Sequence, residues 1–171
     1  MKKSFIFLGV RVEALIAFST IAKLKFIITV KNSYVHNFAK KNKIKFFLIN
    51  NNNKDKIFKK LSASKSDIIF SAGFPYILDK KILDNFKFKL NSHPSLLPKY
   101  KGASPIKEAY SKNEKKFGVT LHHMIEKVDS GKIIYQDFIS KKKLNLKNIY
   151  KIIFSIIEPN VIIKGVQKIF K

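Results

Sequence analysis

The sequence predicts an α/β fold: a doubly wound, mostly parallel sheet with helices on both faces. Three observations predict it. Short apolar, β-rich runs alternate with segments of helical spacing along the first half of the chain. Two of these runs end in glycine, at Gly9 and Gly73. A third runs into the breaker-rich loop NSHPSLLPKYKG, residues 91–102. Open parallel sheets place their ligand crevice at the carboxyl ends of the strands, so these three ends should meet on one edge.

The elements follow in order. Residues 4–10 form a short apolar strand ending in glycine, and 12–22 carry apolar residues at helical spacing. Strands are expected at 25–30 and 45–49, with a helix at 35–43 between them. The asparagine-rich patch 50–53 is a turn before a helix at 55–62. The run 67–71 is a buried strand that stops at Ala72-Gly73; Phe74-Pro75-Tyr76 and a short helix at 80–84 come next. A strand at 87–91 leads into the loop, and Pro105 opens a helix to 112. Strands at 118–124 and 132–140 are joined through 126–131. Two helices close the chain, 146–157 and 161–170, with Pro159 at the start of the second. The 149–157 stretch is apolar enough for core or for a homodimer interface. No repeat, linker or second domain interrupts residues 1–171.

Composition narrows the function classes. With no cysteine there is neither a disulfide framework nor a thiolate metal site. The histidines His36, His93, His122 and His123 lack zinc-motif spacing, so no metal is expected. No run approaches the ~18 apolar residues of a membrane span. The basic start before residues 5–10 is too short an apolar run for a signal peptide, so a cytoplasmic protein is expected. The net charge of +24 invites a nucleic-acid reading, yet every basic residue but Arg11 is lysine. Readers of phosphates and base edges generally use arginine forks as well. The excess of Lys, Ile, Asn and Phe fits a compositional bias, although the charge would still steer an anionic ligand.

The loop carries the chemistry. Asn91-Ser92-His93-Pro94-Ser95-Leu96-Leu97-Pro98, then Tyr100, Gly102 and Pro105, is followed by Gly118-Val119-Thr120-Leu121-His122 and Val128-Asp129-Ser130-Gly131. In this order and spacing the chain resembles the formyltransferases that use N10-formyltetrahydrofolate, and the likeness covers essentially its whole length. The resemblance implies a Rossmann-like catalytic domain with Asn91, His93 and Asp129 as its catalytic residues. Taken singly, Asn91 and Asp129 are ordinary turn residues and His93 a structural histidine; the full motif gives them roles. An amine attacks the formyl carbon, which requires a donor for the developing oxyanion and a route for the amine proton. An Asn amide donates without titrating, a histidine donates or relays, and a carboxylate orients the histidine and takes the proton. Asn91 and His93 alternate by two, so at a strand end they share a face. His122 matches a supporting position.

The resemblance also implies a folate pocket between two segments: Phe74, Tyr76, Ile77 and Leu78 on one side, and Glu126, Lys127, Val128 and Ser130 on the other. Asp79 departs from a proline common in relatives. Gly9, Arg11, Lys99 and Tyr100 are the candidates for the acceptor side. Arg11 either contacts a diphosphate or lies on the surface. The acceptor is less legible. The loop after the first strand, Gly9-Val10-Arg11-Val12-Glu13, lacks the glycine- and serine-rich phosphate pattern of glycinamide ribonucleotide enzymes. The C-terminal barrel and extra basic loop of methionyl-tRNA enzymes are not evident. The phrase around Asn91–Ser95 and Lys99–Gly102 is nearest the enzymes that formylate nucleotide-linked amino sugars, which is the expected acceptor. A basic, non-catalytic binding protein that keeps the fold is the alternative from another class.

Overall fold

A computed structural model describes residues 3–141 and 143–170; Met1 and Lys2, part of the leader-like start, lie outside the described residues. Among the described residues seven strands form one sheet in the order β3-β2-β1-β4-β5-β6-β7. They are β1 (Ser4–Gly9), β2 (Lys23–Thr29), β3 (Phe46–Leu48), β4 (Ile68–Ala72), β5 (Phe88–His93), β6 (Lys116–His123) and β7 (Ile133–Ser140). The first five are parallel, and β6 and β7 are antiparallel. The helices are α1 (Val12–Ser19), α2 (Tyr34–Lys41), α3 (Lys54–Ser62), α4 (Lys80–Leu83), α5 (Pro105–Ser111), α6 (Leu146–Ile152) and α7 (Glu158–Ile169).

Both sheet faces are covered, and strand alternation decides which residue goes where. Phe5 and Phe7 of β1, Ile27 of β2 and Ile68 and Phe70 of β4 pack under α1, α2, α5, α6 and α7. Their neighbours Ile6, Leu8, Ile28 and Ile69 pack against α3 and α4 on the opposite face. Phe18 of α1 stacks on Phe70, ring centroids 4.3 Å apart, and tilts against Phe5 at 4.7 Å. Such pairs add to the area term that dominates core stability.

Winding reverses between β1 and β4, which places a crevice at their carboxyl ends. Gly9 sits there with φ +143, and a Cβ at that position would overlap the Ala72 carbonyl. Asp79, in the proline-equivalent position, is the N-cap of α4: its carboxylate accepts from the Ile82 amide at 2.8 Å.

The C-terminal region differs from the expected two helices. It is continuous from Leu146 to Ile169, with a π-helical turn at Ile153–Ile157 between α6 and α7. Pro159 explains it. Its ring cannot donate and crowds the preceding turn, and widening that turn by one residue keeps the helix running instead of breaking it. Ile149 and Ile153 are fully buried and Ile157 nearly so, while Ile156 is exposed. One face of the apolar 149–157 stretch is therefore core. Gly165 lets α7 approach β6 and β7 closely, since a Cβ there would press on Leu121 and Tyr135.

Candidate active site

β5 ends at the sheet edge with Asn91, Ser92 and His93 in succession. Asn91 and His93 face a cleft of about 510 Å³, and Ser71, Gly73, His122 and Asp129 also line it. One wall is Phe74, Pro75, Tyr76, Ile77, Leu78 and Leu83; the facing wall is Met124, Ile125, Glu126 and Val128. Ile77, Ile125 and Val128 are exposed apolar residues at its rim. The two walls come from the segment after β4 and the segment after β6. Gly131 allows the second to close, because a Cβ there would overlap the His123 carbonyl.

The polar centre is tightly connected. Asp129 Oδ2 lies 3.3 Å from His93 Nδ1 and accepts from the Gly102 amide at 2.9 Å. Asn91 Nδ2 donates to His122 Nε2 at 3.0 Å and, at the limit of a hydrogen bond, to Asp129 Oδ1 at 3.4 Å. His122 Nε2 is 3.5 Å from Asp129 Oδ1. Asp129 and Tyr100 both adopt left-handed backbone, φ 48 and 55. That conformation costs a non-glycine residue roughly 1–2 kcal/mol, and here it aims the Asp129 carboxylate and the Tyr100 carbonyl at one imidazole.

These contacts fix the ring chemistry. His93 Nε2 sits 2.7 Å from the Tyr100 carbonyl, which can only accept, so Nε2 carries hydrogen. Nδ1 then faces a carboxylate, and the contact is attractive only with a proton between them. Burial pushes the His93 imidazole below its ordinary value, while Asp129 and the Tyr100 carbonyl pull it up. For Asp129, burial opposes the charge, yet the Gly102 amide and His93 help to hold its carboxyl low. The shared proton is needed by the geometry and weakly held, which suits a relay. His122 Nδ1 donates to the His123 carbonyl at 2.9 Å, leaving Nε2 to accept from Asn91.

Not every residue named from sequence offers the cleft a free side chain. Arg11 lines it, but as neither a surface residue nor a free diphosphate contact: its side chain is 11% exposed and paired with Glu158 at 3.2 Å. Lys99 and Tyr100 turn their side chains away to Glu114, at 3.0 and 2.8 Å. Tyr100 contributes only its carbonyl. Gly9 packs on Ala72 behind the cleft. Ser130 is tied to Lys101 Nζ and the Val128 carbonyl, and Lys127 lines a separate surface hollow beside α4. Phe74, Tyr76, Ile77, Leu78, Glu126 and Val128 do line the cleft. Among the described residues no group of three or more His, Asp or Glu is arranged to hold a metal ion.

The structural roles of two residues escaped the sequence reading. Thr120 of β6, fully buried, donates to the Ser95 carbonyl and accepts from the Leu97 amide and Gln136, pinning the 94–98 loop to the sheet. Glu158 is the other. Its signal was present, an acid inside the apolar run 152–163.

A sequence profile of the formyl transferase family matches residues 15–149, and the chain belongs to that family. It is 43% identical over 113 residues, 65% of the chain, to the bifunctional polymyxin resistance protein ArnA of Wigglesworthia glossinidia brevipalpis. It is 33% identical over 118 residues, 68% of the chain, to the methionyl-tRNA formyltransferase of Borreliella afzelii. The matches cover 17% and 38% of those two proteins, so the chain spans well under half of their length. Its fold matches the phosphoribosylglycinamide formyltransferase of Bacillus halodurans with TM-score 0.86 at 22% identity, over 99% of this chain and 96% of that one. Among the described residues no helix is long and apolar enough to cross a membrane.

Proposed function

We propose that the chain is a single catalytic domain transferring a formyl group from N10-formyltetrahydrofolate to a primary amine. The observation that carries this is the Asn91–His93–Asp129 cluster in a cleft with largely apolar walls. A pterin is a flat heterocycle, and the walls at 74–78 and 124–128 suit it. In this reading Asn91 redirects its weaker hydrogen bond, the 3.4 Å contact to Asp129, toward the formyl oxygen. His93, with Nε2–H held by the Tyr100 carbonyl, turns its Nδ1–H from Asp129 to the same oxygen as charge develops there, which frees the carboxylate. Asp129 takes the proton that the amine loses as its nitrogen bonds the formyl carbon. That proton leaves with the folate nitrogen when the old carbon–nitrogen bond breaks.

For the acceptor we favour the amino group of a nucleotide-linked amino sugar. Support comes from the Asn91–Ser95 and Lys99–Gly102 phrase. Methionyl-tRNA is the second reading, favoured by relatives bearing that name and by the net charge of +24. The test is incubation with N10-formyltetrahydrofolate and, separately, a nucleoside-diphosphate 4-amino sugar, methionyl-tRNA or glycinamide ribonucleotide. A mass gain of one CO unit on a single acceptor identifies it. No gain on any amine overturns the reading and favours a non-catalytic basic binding protein.

A further inference from the structure

Behind the candidate catalytic strand lies a charged contact that the proposed chemistry does not use. Arg11 follows β1, Ser92 sits between Asn91 and His93, and Glu158 opens α7 directly after the π-helical turn. Glu158 is fully buried. Its Oε1 lies 3.2 Å from Arg11 Nε and accepts from Ser92 Oγ at 2.5 Å. Arg11 Nη2 donates to the Ser92 carbonyl at 2.5 Å, and its guanidinium stands over the Phe154 ring at 5.2 Å. Ser92 is thus held by its hydroxyl and its carbonyl at once.

Such a pair is a poor way to gain stability. Desolvating both charges costs about what their attraction returns, and a well-packed apolar pair of similar volume is often as good or better. The cost is visible here: burial pushes the Glu158 carboxyl up and the Arg11 guanidinium down, each opposed by the other. Among the described residues Glu158 Oε2 finds no hydrogen-bond partner. A contact that stabilises so little needs another account, and its target supplies one. All three residues border the cleft, but alternation along β5 turns the Asn91 and His93 side chains into it and the Ser92 hydroxyl away to Glu158. Gripping the residue between them sets the direction of both.

We propose that Arg11 and Glu158 are positioning residues: together they fix Ser92, and through it the orientation of Asn91 and His93 in the cleft. This inference rests on the formyl-transfer reading for its kinetic consequence, but its geometric consequence stands apart from that reading. Misplacing reacting groups by about 1 Å costs on the order of 100-fold in rate. The pair also ties the C-terminal helix to the reacting strand.

The test compares Glu158→Leu, the double variant Arg11→Met with Glu158→Leu, and the milder Ser92→Ala. Urea unfolding, the His93 ring-proton NMR signal (assigned with His93→Gln) and donor turnover are followed in each. Glu158→Leu leaves Arg11 buried and unpaired, so it loses stability and turnover. The double variant is expected to regain wild-type stability. Its kcat should stay about 10- to 100-fold down with the KM for donor little changed, and its His93 signal should stay displaced. Recovery of wild-type kcat and the wild-type His93 signal by the double variant overturns the proposal and leaves the pair a packing feature. Should the wild type transfer no formyl group to any amine, the functional reading fails. The His93 signal then decides: displaced in both the double variant and Ser92→Ala, it supports the clamp; unchanged in both, it refutes it. If Glu158→Leu alone does not fold, the other two variants carry the same comparison.

Discussion

Replacing Asp129 by Asn is the most informative single change at the cleft. Asn keeps the shape and tolerates the left-handed backbone at φ 48, so the loop should hold its path. What it removes is charge. The carboxylate 3.3 Å from His93 Nδ1 disappears, and the Gly102 amide loses a charge-assisted partner. A hydrogen bond to a charged group is worth about 1.5–3 kcal/mol and an ordinary one about 1 kcal/mol. The difference, roughly 0.5–2 kcal/mol, is the expected loss of stability. For a chain of this length that lowers Tm by about 1–8 °C. The rate effect should be far larger, because the amine proton loses its acceptor and His93 its partner. General-base contributions of 10²–10⁴ correspond to about 3–5 kcal/mol of barrier. Stopped-flow or mass-spectrometric turnover of N10-formyltetrahydrofolate reads the rate, and a thermal melt reads the fold. A variant that melts within this range yet keeps turnover within about threefold of wild type would refute the role given to Asp129.

Other consequences are open to the same methods. Gly9→Ala should cost more than about 3 kcal/mol, since the new Cβ overlaps the Ala72 carbonyl in a left-handed backbone. Gly102→Ala, with φ +95 but nothing within 4 Å, should cost only about 1 kcal/mol; urea unfolding separates the two. Thr120→Val leaves the buried Leu97 amide without its acceptor, and a loss of about 1–3 kcal/mol in the same assay is expected. Stability should fall toward acid. The low Asp129 carboxyl contributes stability above its unfolded value that is lost as pH drops through its folded value. The low His93 imidazole means that the unfolded chain takes up that proton first, which acts in the same direction. Melts between about pH 7 and pH 3 should show this decline, with a shallower acid limb in Asp129→Asn.

Much of the architecture was legible because strand alternation and helix spacing are local signals. The apolar runs ending in Gly9 and Gly73 announced two strand ends of the crevice, and the N-x-H spacing announced two side chains on one face. What was not legible depends on long-range partners. Nothing local to Arg11 shows that Glu158, far along the chain, will neutralise it. Lys99 and Tyr100 lie in the right loop, but Glu114 draws their side chains to its other side. Pro159 reads as a helix start, and only packing of Ile153 and Ile157 against the sheet makes a continuous helix with a π-turn the better solution. Thr120 stands in the Gly118–His122 motif, but its hold on the 94–98 loop shows only once that loop folds over it.

The central claim is that the cleft receives a folate with its formyl group against Asn91, His93 and Asp129. Calorimetric titration with 5-formyltetrahydrofolate, an unreactive relative of the donor, tests it most directly. The account predicts saturable one-to-one binding with Kd between about 1 µM and 1 mM, abolished when Ile77→Asp charges the apolar wall. A folded protein that takes up no folate at millimolar ligand, or one whose binding is indifferent to Ile77→Asp, would contradict it.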